Sequence, residues 1–252
     1  MPEEINRLMI DTISDLLFAT SEQACENLRR EGIANNRIHF VGNVMIDSLR
    51  LLEPKADKSH ILEQQGLSAQ EYVLLTLHRA SNVDCLDTLT GIIFALDSLQ
   101  NRIPIVWPLH PRTHKSLSGF GLLKSLMTMN NIKIIDPVGY LDSLKLQKNA
   151  KFVMTDSGGL QEETTALGIP CLTLRKNTER PETITIGTNT LVDVRSEHII
   201  AKAESILNGN YKYGRLPKRW DGKAAKRIVD LFSVVEKPFD IELQPNTYVE
   251  YH

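Results

Sequence analysis

Apolar positions along the chain follow two periods that alternate: helical spacing over longer stretches, and short β-branched runs between them. From Pro2 onward, Ile5, Leu8, Met9, Ile13 and Leu16 fall on one helical face, with proline in the first turn and Glu3 and Glu4 near the positive end of the dipole, so a helix is predicted. A short strand over Leu17 to Ala19, a helix over Ser21 to Glu31 closed by Gly32, a strand over Ile38 to Val41 and a helix over Val44 to Leu52 follow. Pro54 to Ser59 is charged and proline-containing, and behind it the alternation restarts as a new unit would. Later strands are predicted at Tyr72 to Leu77, Pro104 to Trp107, Ile132 to Ile135, Phe152 to Thr155, Cys171 to Leu174 and Thr190 to Val192. Helices are predicted between them at Asp84 to Leu99, Gly121 to Asn130, Tyr140 to Asn149 and Gly158 to Leu167, with Glu197 to Leu207 after the last strand.

Strands separated by helices of about 10–15 residues imply right-handed crossovers and a parallel sheet covered on both faces. The expected fold class is therefore α/β, with a Rossmann-like parallel sheet in the second unit. In such sheets ligands sit beyond the carboxyl ends of the strands, so the loops after each strand are where chemistry is expected.

Composition narrows the function classes. The 252 residues are 42% apolar and 24% charged, which fits an ordinary globular chain rather than a disordered, collagenous or coiled-coil one. With 29 Lys and Arg against 31 Asp and Glu the net charge is -2, so no basic excess points to nucleic acid or an anionic membrane. No stretch reaches the ~18 apolar residues of a membrane span, and the chain starts with acids where a signal peptide would carry bases. Cys25, Cys85 and Cys171 are odd in number and lack metal-ligand spacing; they are expected as buried small hydrophobes in a reduced, cytoplasmic protein.

Three loops concentrate unusual residues. After the strand at Phe152 stands Asp156-Ser157-Gly158-Gly159-Leu160-Gln161-Glu162-Glu163, where glycines permit close approach to a helix N-terminus that favours phosphate, and Glu163 can accept from a ribose diol. The alternative is that Ser157 only caps the helix while the two glutamates suit its dipole. His78 and Arg79 follow the strand at Tyr72, and His110 and Arg112 follow the strand at Pro104, each pair readable as chemistry or as solvated bases in a turn. Arg175, Lys176 and Arg180 precede a helix expected to start at Pro181, an arrangement suited to a diphosphate or simply to water. Taken together, the loops suggest a nucleotide diphosphate, with His78 as acid or base. Neither GxxxxGK[ST] nor GxGxxG is present, which weighs against ATP hydrolysis and ordinary NAD binding.

The segments Leu77-His78-Arg79-Ala80-Ser81-Asn82-Val83-Asp84, Asp156 to Glu163, and Thr178-Glu179-Arg180-Pro181-Glu182 with Gly187-Thr188-Asn189 together resemble the non-hydrolysing UDP-N-acetylglucosamine 2-epimerases, as do the opening Pro2 to Arg7 and Asp221 to Ala224. The resemblance implies a glycosyltransferase-B architecture. In it, residues 1–53 are the end of an N-terminal Rossmann-like domain, residues 60–235 the UDP-binding C-terminal domain, and residues 236–252 a tail. It implies conversion of UDP-GlcNAc to UDP-ManNAc by anti elimination and re-addition of UDP, with no cofactor and no metal. Glu3 and His78 match catalytic positions; Val138 to Ser143 match a uracil-contacting loop; Ser157, Gly158, Gly159, Glu163 and Arg180 match phosphate, ribose and diphosphate contacts. Glu4, Arg79 and His110 match positions of an allosteric UDP-sugar site. Ser81 stands where the family commonly has glutamate. The further catalytic acids belong to an N-terminal half that the chain is expected to lack, so UDP binding is expected ahead of turnover. A homodimer, a separate N-terminal partner chain, self-association through uncovered apolar surface, and a related UDP-diacetamido sugar as substrate are the accompanying expectations.

Overall fold

The computed structural model describes the backbone of residues 2–234 and the side chains of residues 4–233. The first elements are α1 (Pro2–Ile13), β1 (Leu17–Ala19), α2 (Glu22–Arg30) and β2 (Ile38–Phe40), with β1 and β2 paired in parallel. Ser21 caps α2 by accepting the Ala24 N–H at 3.1 Å. Leu17, Ala19, Cys25, Leu28 and Ile38 form a small core between the strands and α2.

Next comes α3 (Val44–Ala56), which runs through Pro54 instead of stopping ahead of it. A proline inside a helix removes one backbone hydrogen bond and normally breaks it. Here Ala56 beyond it is 1% exposed, in a core with Ile46, Leu49, Leu144, Ala166 and Trp220, and that burial holds the last turn. The stretch expected as a linker, Pro54 to Ser59, is thus helix end and turn packed on the larger unit.

That unit contains α4 (Ile61–Gln64), β3 (Val73–Thr76), α5 (Ala80–Val83), α6 (Leu86–Leu99), β4 (Ile105–Pro108), α7 (Pro111–Gly119), α8 (Leu123–Met127), β5 (Ile132–Ile135), α9 (Tyr140–Asn149), β6 (Phe152–Thr155), α10 (Gly158–Leu167), β7 (Cys171–Leu174), α11 (Pro181–Thr185), β8 (Asn189–Val192), α12 (Ser196–Leu207) and α13 (Ala224–Val234). Its six strands are all parallel, in the order β5-β4-β3-β6-β7-β8. Alternation along each strand feeds two cores. Val73, Leu75, Ile105, Trp107, Phe152, Met154, Leu172 and Leu174 face α6 and α12, while Leu74, Val106, Val153 and Cys171 face α4 and α9.

The chain runs outward from β3 to β4 and β5, then returns to place β6 on the other side of β3. The reversal opens a crevice beyond the carboxyl ends of β3 and β6, where ligands bind in such sheets. Across it, the hydroxyls of Thr76 and Thr155, paired in register, lie 2.6 Å apart. Among the described residues no helix is long and apolar enough to cross a membrane. Cys25 and Cys171 are buried as expected; Cys85 is exposed at the N-cap of α6, a correction to the expectation that all three are buried.

Candidate functional site

Strand ends deliver the site residues. His78 and Arg79 follow β3, His110 follows β4, Asp156 to Glu163 follow β6, and Arg180 follows β7 at the N-cap of α11. Asp156 is fully buried, and its carboxylate ties β6 to the loop after β3. It accepts the backbone N–H of His78 (3.1 Å) and of Arg79 (2.9 Å) and the Asn82 amide (3.1 Å), and one of its oxygens lies 3.0 Å from His78 Nδ1. Burial alone would raise its pKa. The His78 ring and the backbone donors outweigh burial and hold the carboxyl below the usual aspartate range.

Ser157 occupies the N-cap of α10, but its hydroxyl makes no capping bond, so capping does not account for that side chain. A Cβ at Gly158 would meet open space, and one at Gly159 would meet the Met45 methyl at 3.5 Å. The first turn of α10 is therefore open at Gly158 and roofed at Gly159 by the start of α3.

Glu162 and Glu163 are not solvated dipole partners. They are 3% and 4% exposed, and burial raises both carboxyls above the usual range. Glu162 lies 2.7 Å from Arg180 Nε. Glu163 accepts the Tyr140 hydroxyl at 2.9 Å and the Gln147 amide at 2.8 Å. A nucleotide ribose that reaches Glu163 would exchange its hydroxyls for the Tyr140 hydroxyl.

The three-base run divides. Arg175, 7% exposed, makes two 2.7 Å hydrogen bonds to Glu179, and this pair, with Arg79 at 3.7 Å, lowers the Glu179 carboxyl to about 2. Arg175 is thereby committed to the protein, whereas Arg180 is half-exposed. Glu4, Arg79 and Arg180 share a cleft of about 1160 Å³ with Thr178, Glu179 and the β1 residues. Glu4 is engaged by Arg7, which also bonds Asp11 and Glu31. The guanidinium of Arg7 lowers the Glu4 carboxyl.

His110 sits at the N-cap of α7, its Nδ1 accepting the Arg112 N–H at 3.1 Å, and its ring lies 5.6 Å from that of His78. The proline turn expected there opens a helix that the periodicity did not reveal. The expected uracil loop, Val138 to Ser143, is mostly the first turn of α9, with Gly139 at its N-cap and Ser143 N–H bonded to Gly139 O. The Val138 side chain packs into the core with Leu146 and Val153. The side chain of Glu3 and the tail from residue 235 lie outside the described residues.

The sequence assigned no individual role to Asp156, Glu179 or Gln147, read Glu162 only as suiting the helix dipole, and read Tyr140 only as part of the uracil loop. A charged residue closing a fully buried strand was the available signal for Asp156. The bonds of Tyr140 and Gln147 to Glu163 carried none, because they form only where α9 lies beside α10.

The family model for UDP-N-acetylglucosamine 2-epimerase matches residues 1–233. The chain is 41% identical over 244 residues to a Methanococcus maripaludis protein named UDP-N-acetylglucosamine 2-epimerase, covering 94% of this chain and 66% of that one. It is 40% identical over 239 residues to a Pseudomonas aeruginosa protein named UDP-2,3-diacetamido-2,3-dideoxy-D-glucuronate 2-epimerase, covering 91% of this chain and 63% of that one. Among solved structures, the Methanocaldococcus jannaschii UDP-GlcNAc 2-epimerase in complex with UDP-GlcNAc and UDP superposes with a TM-score of 0.81 at 43% identity, over 92% of this chain and 65% of that one. The chain thus spans about two thirds of the length of these relatives.

Proposed function

The chain belongs to the UDP-N-acetylglucosamine 2-epimerase family, and from that premise we propose that it binds the UDP portion of a UDP-N-acetylhexosamine and takes part in its epimerisation at C2. One observation carries the reading: the open first turn of α10 at the crevice combines a half-exposed arginine, Arg180, with a buried acceptor one turn in, Glu163. In this reading the Ser157 hydroxyl, the N–H groups at Gly158 and Gly159 and the Arg180 guanidinium hold the diphosphate. Glu163 accepts from the ribose hydroxyls, and the Val138 backbone with the Ser143 side chain meets the uracil.

The chemistry is an elimination and its reversal. The C2 proton leaves to a base, the C1–O bond breaks with its electron pair on UDP, and a C1=C2 double bond forms. A proton then enters the opposite face of C2 as the UDP oxygen returns to C1. His78, beside the diphosphate, is the acid–base group for the UDP oxygen, and Glu3 supplies a carboxylate. Glu4, Arg79 and His110 form contacts for a second UDP-sugar. Residues 1–53 are read as the end of an N-terminal Rossmann-like domain and residues 60–235 as the UDP-binding domain, with α3 (Val44–Ala56) running across the join. The functional assembly is a homodimer in the cytoplasm, with any missing N-terminal half supplied by a separate chain.

The test is a proton NMR time course with UDP-GlcNAc in deuterated water. Deuterium at C2 and a second epimer are expected. An unchanged sugar together with unperturbed uridine resonances refutes the reading, while uridine broadening alone reduces it to a binding half. The 40% identity to a diacetamido-sugar epimerase supports a second reading, in which the parallel incubation with that nucleotide exchanges faster.

A further inference from the structure

A buried carboxylate facing an imidazole constrains where that ring keeps its proton. Asp156 is 0% exposed, and among the described residues the only cationic side chain within ion-pair distance of it is that of His78. Its Oδ2 takes the Arg79 N–H and the Asn82 amide, and the His78 N–H is shared between Oδ2 at 3.1 Å and Oδ1 at 3.2 Å. Its Oδ1 lies 3.0 Å from His78 Nδ1. An ionised carboxylate only accepts, so the nitrogen opposite Oδ1 is the one that carries hydrogen. Among the described residues nothing in the protein bonds to His78 Nε2, and the side chain is 42% exposed.

We propose that Asp156 is a positioning residue for His78, its carboxylate keeping the ring's hydrogen on Nδ1 so that Nε2 is the nitrogen presented to the nucleotide. The inference rests on the reading of His78 as the acid–base group and adds the residue that sets its tautomer. His110, whose ring is 5.6 Å away, has the opposite arrangement: its Nδ1 accepts the Arg112 N–H, which leaves the hydrogen of the neutral ring on Nε2. Two neighbouring histidines with reversed tautomers make an internal control. The direction of the Asp156 shift agrees, since a carboxyl held below its usual range stays an acceptor across the neutral region.

Asparagine at this position makes a directional prediction. Two donors bond Oδ2 alone, the Arg79 N–H and the Asn82 amide, and they favour the amide oxygen there, so the amide NH₂ faces His78 Nδ1 and drives the hydrogen to Nε2. The experiment is nitrogen NMR of the full chain labelled with isotopic histidine, with His78→Gln and His110→Gln to assign the rings. In the wild type, His78 is expected to be protonated on Nδ1 and bare on Nε2, with the Nε2 signal shifting when UDP is added. In Asp156→Asn the hydrogen moves to Nε2 while UDP affinity stays within about threefold, as expected when the diphosphate contacts are untouched. Where turnover is measurable, kcat falls about 10²- to 10⁴-fold with KM nearly unchanged, the scale seen when a carboxylate orienting a catalytic histidine is neutralised.

A wild-type His78 with its hydrogen on Nε2, an unaltered tautomer in Asp156→Asn, or an unaltered kcat overturns the proposal. The wild-type spectrum needs no variant, so a variant that fails to fold does not shield the idea. A chain that shows the Nδ1–H tautomer and binds UDP but exchanges no C2 proton sinks the epimerase reading and upholds only the setting of the His78 tautomer by Asp156.

Discussion

Adjacent glutamates in α10 turn to different neighbours, because one residue along a helix rotates the side chain by about 100°. Glu162 meets Arg180 and Glu163 meets α9, and both are buried. Removing the Glu163 charge removes a burial penalty, and the Tyr140 hydroxyl can turn to accept from a glutamine amide. Glu163→Gln is therefore expected to raise the melting temperature, by the equivalent of about 1 kcal/mol, while calorimetry shows UDP affinity at least tenfold weaker. The sign with pH is definite. The folded carboxyl keeps its proton to higher pH than the unfolded one, so its contribution falls as pH rises above the ordinary value of 4.5. The stability gain of the variant should therefore be smallest near pH 4.5 and grow toward neutrality; a constant gain contradicts the assignment. Asp156 behaves in reverse: its stabilisation is complete above 3.8 and is lost as pH falls through the lowered folded value. For Arg180→Ala, loss of a charged contact worth about 1.5–3 kcal/mol predicts a ten- to hundredfold weaker UDP complex. The variant also leaves Glu162 buried without its cation, so urea titration should show reduced stability.

Elements depend on a few close approaches. Gly42, with φ +93°, makes the turn between β2 and α3 against the backbone of Arg219, where a side chain would have neither space nor an easy conformation. At Gly187, ahead of β8, a Cβ would lie 2.7 Å from the Thr183 carbonyl oxygen and closer still to the Thr165 side chain. Gly187→Ala is expected to lower stability by about 1–3 kcal/mol in denaturant titration, because the α11–β8 connection must shift. An unshifted midpoint would mean that the connection is looser than its packing. Helix α3 shows tertiary contact overriding local rule: Pro54 argued for a helix end, yet Ala56 in the core and the Glu53–Lys148 ion pair at 3.0 Å, which joins α3 to α9, keep the turn.

At the scale of the molecule, α13 and the segment leading into it tie the small β1–β2 unit to α3. Trp220 donates to Thr20 O at 3.0 Å, Arg227 donates to Val41 O at 3.0 Å, and Asp47 of α3 accepts the N–H groups of Ala224 and Ala225 at the start of α13. In contrast, Ile5, Met9 and Ile13 form an exposed stripe along α1, at 60%, 63% and 80% exposure. Such a stripe is sticky in water. Light scattering of the described chain is expected to show association that Ile5→Glu with Met9→Glu reduces, and exposed-hydrophobe dye binding should fall in parallel. A monodisperse wild-type monomer without dye binding would refute this.

Period and punctuation along the chain were enough to determine an α/β parallel sheet, most strand positions and the loops at their carboxyl ends, because a side chain's face in a strand or helix follows from spacing alone. His78, Ser157 to Gly159, Glu163 and Arg180 were picked out for that reason: each stands in the loop or first turns of helix that follow a predicted strand. Helix α7 was not, since its nine residues include a single large apolar one, Leu117, and so show no period. The tertiary structure alone decided the strand order that brings β3 beside β6, the commitment of Arg175 to Glu179, the withdrawal of Glu163 behind Tyr140 and Gln147, and the pairing of Asp156 with His78, 78 residues earlier in the chain. Charge and hydrogen-bond state depend on neighbours that only folding supplies, so the residue types were written in the sequence while their protonation and partners were not.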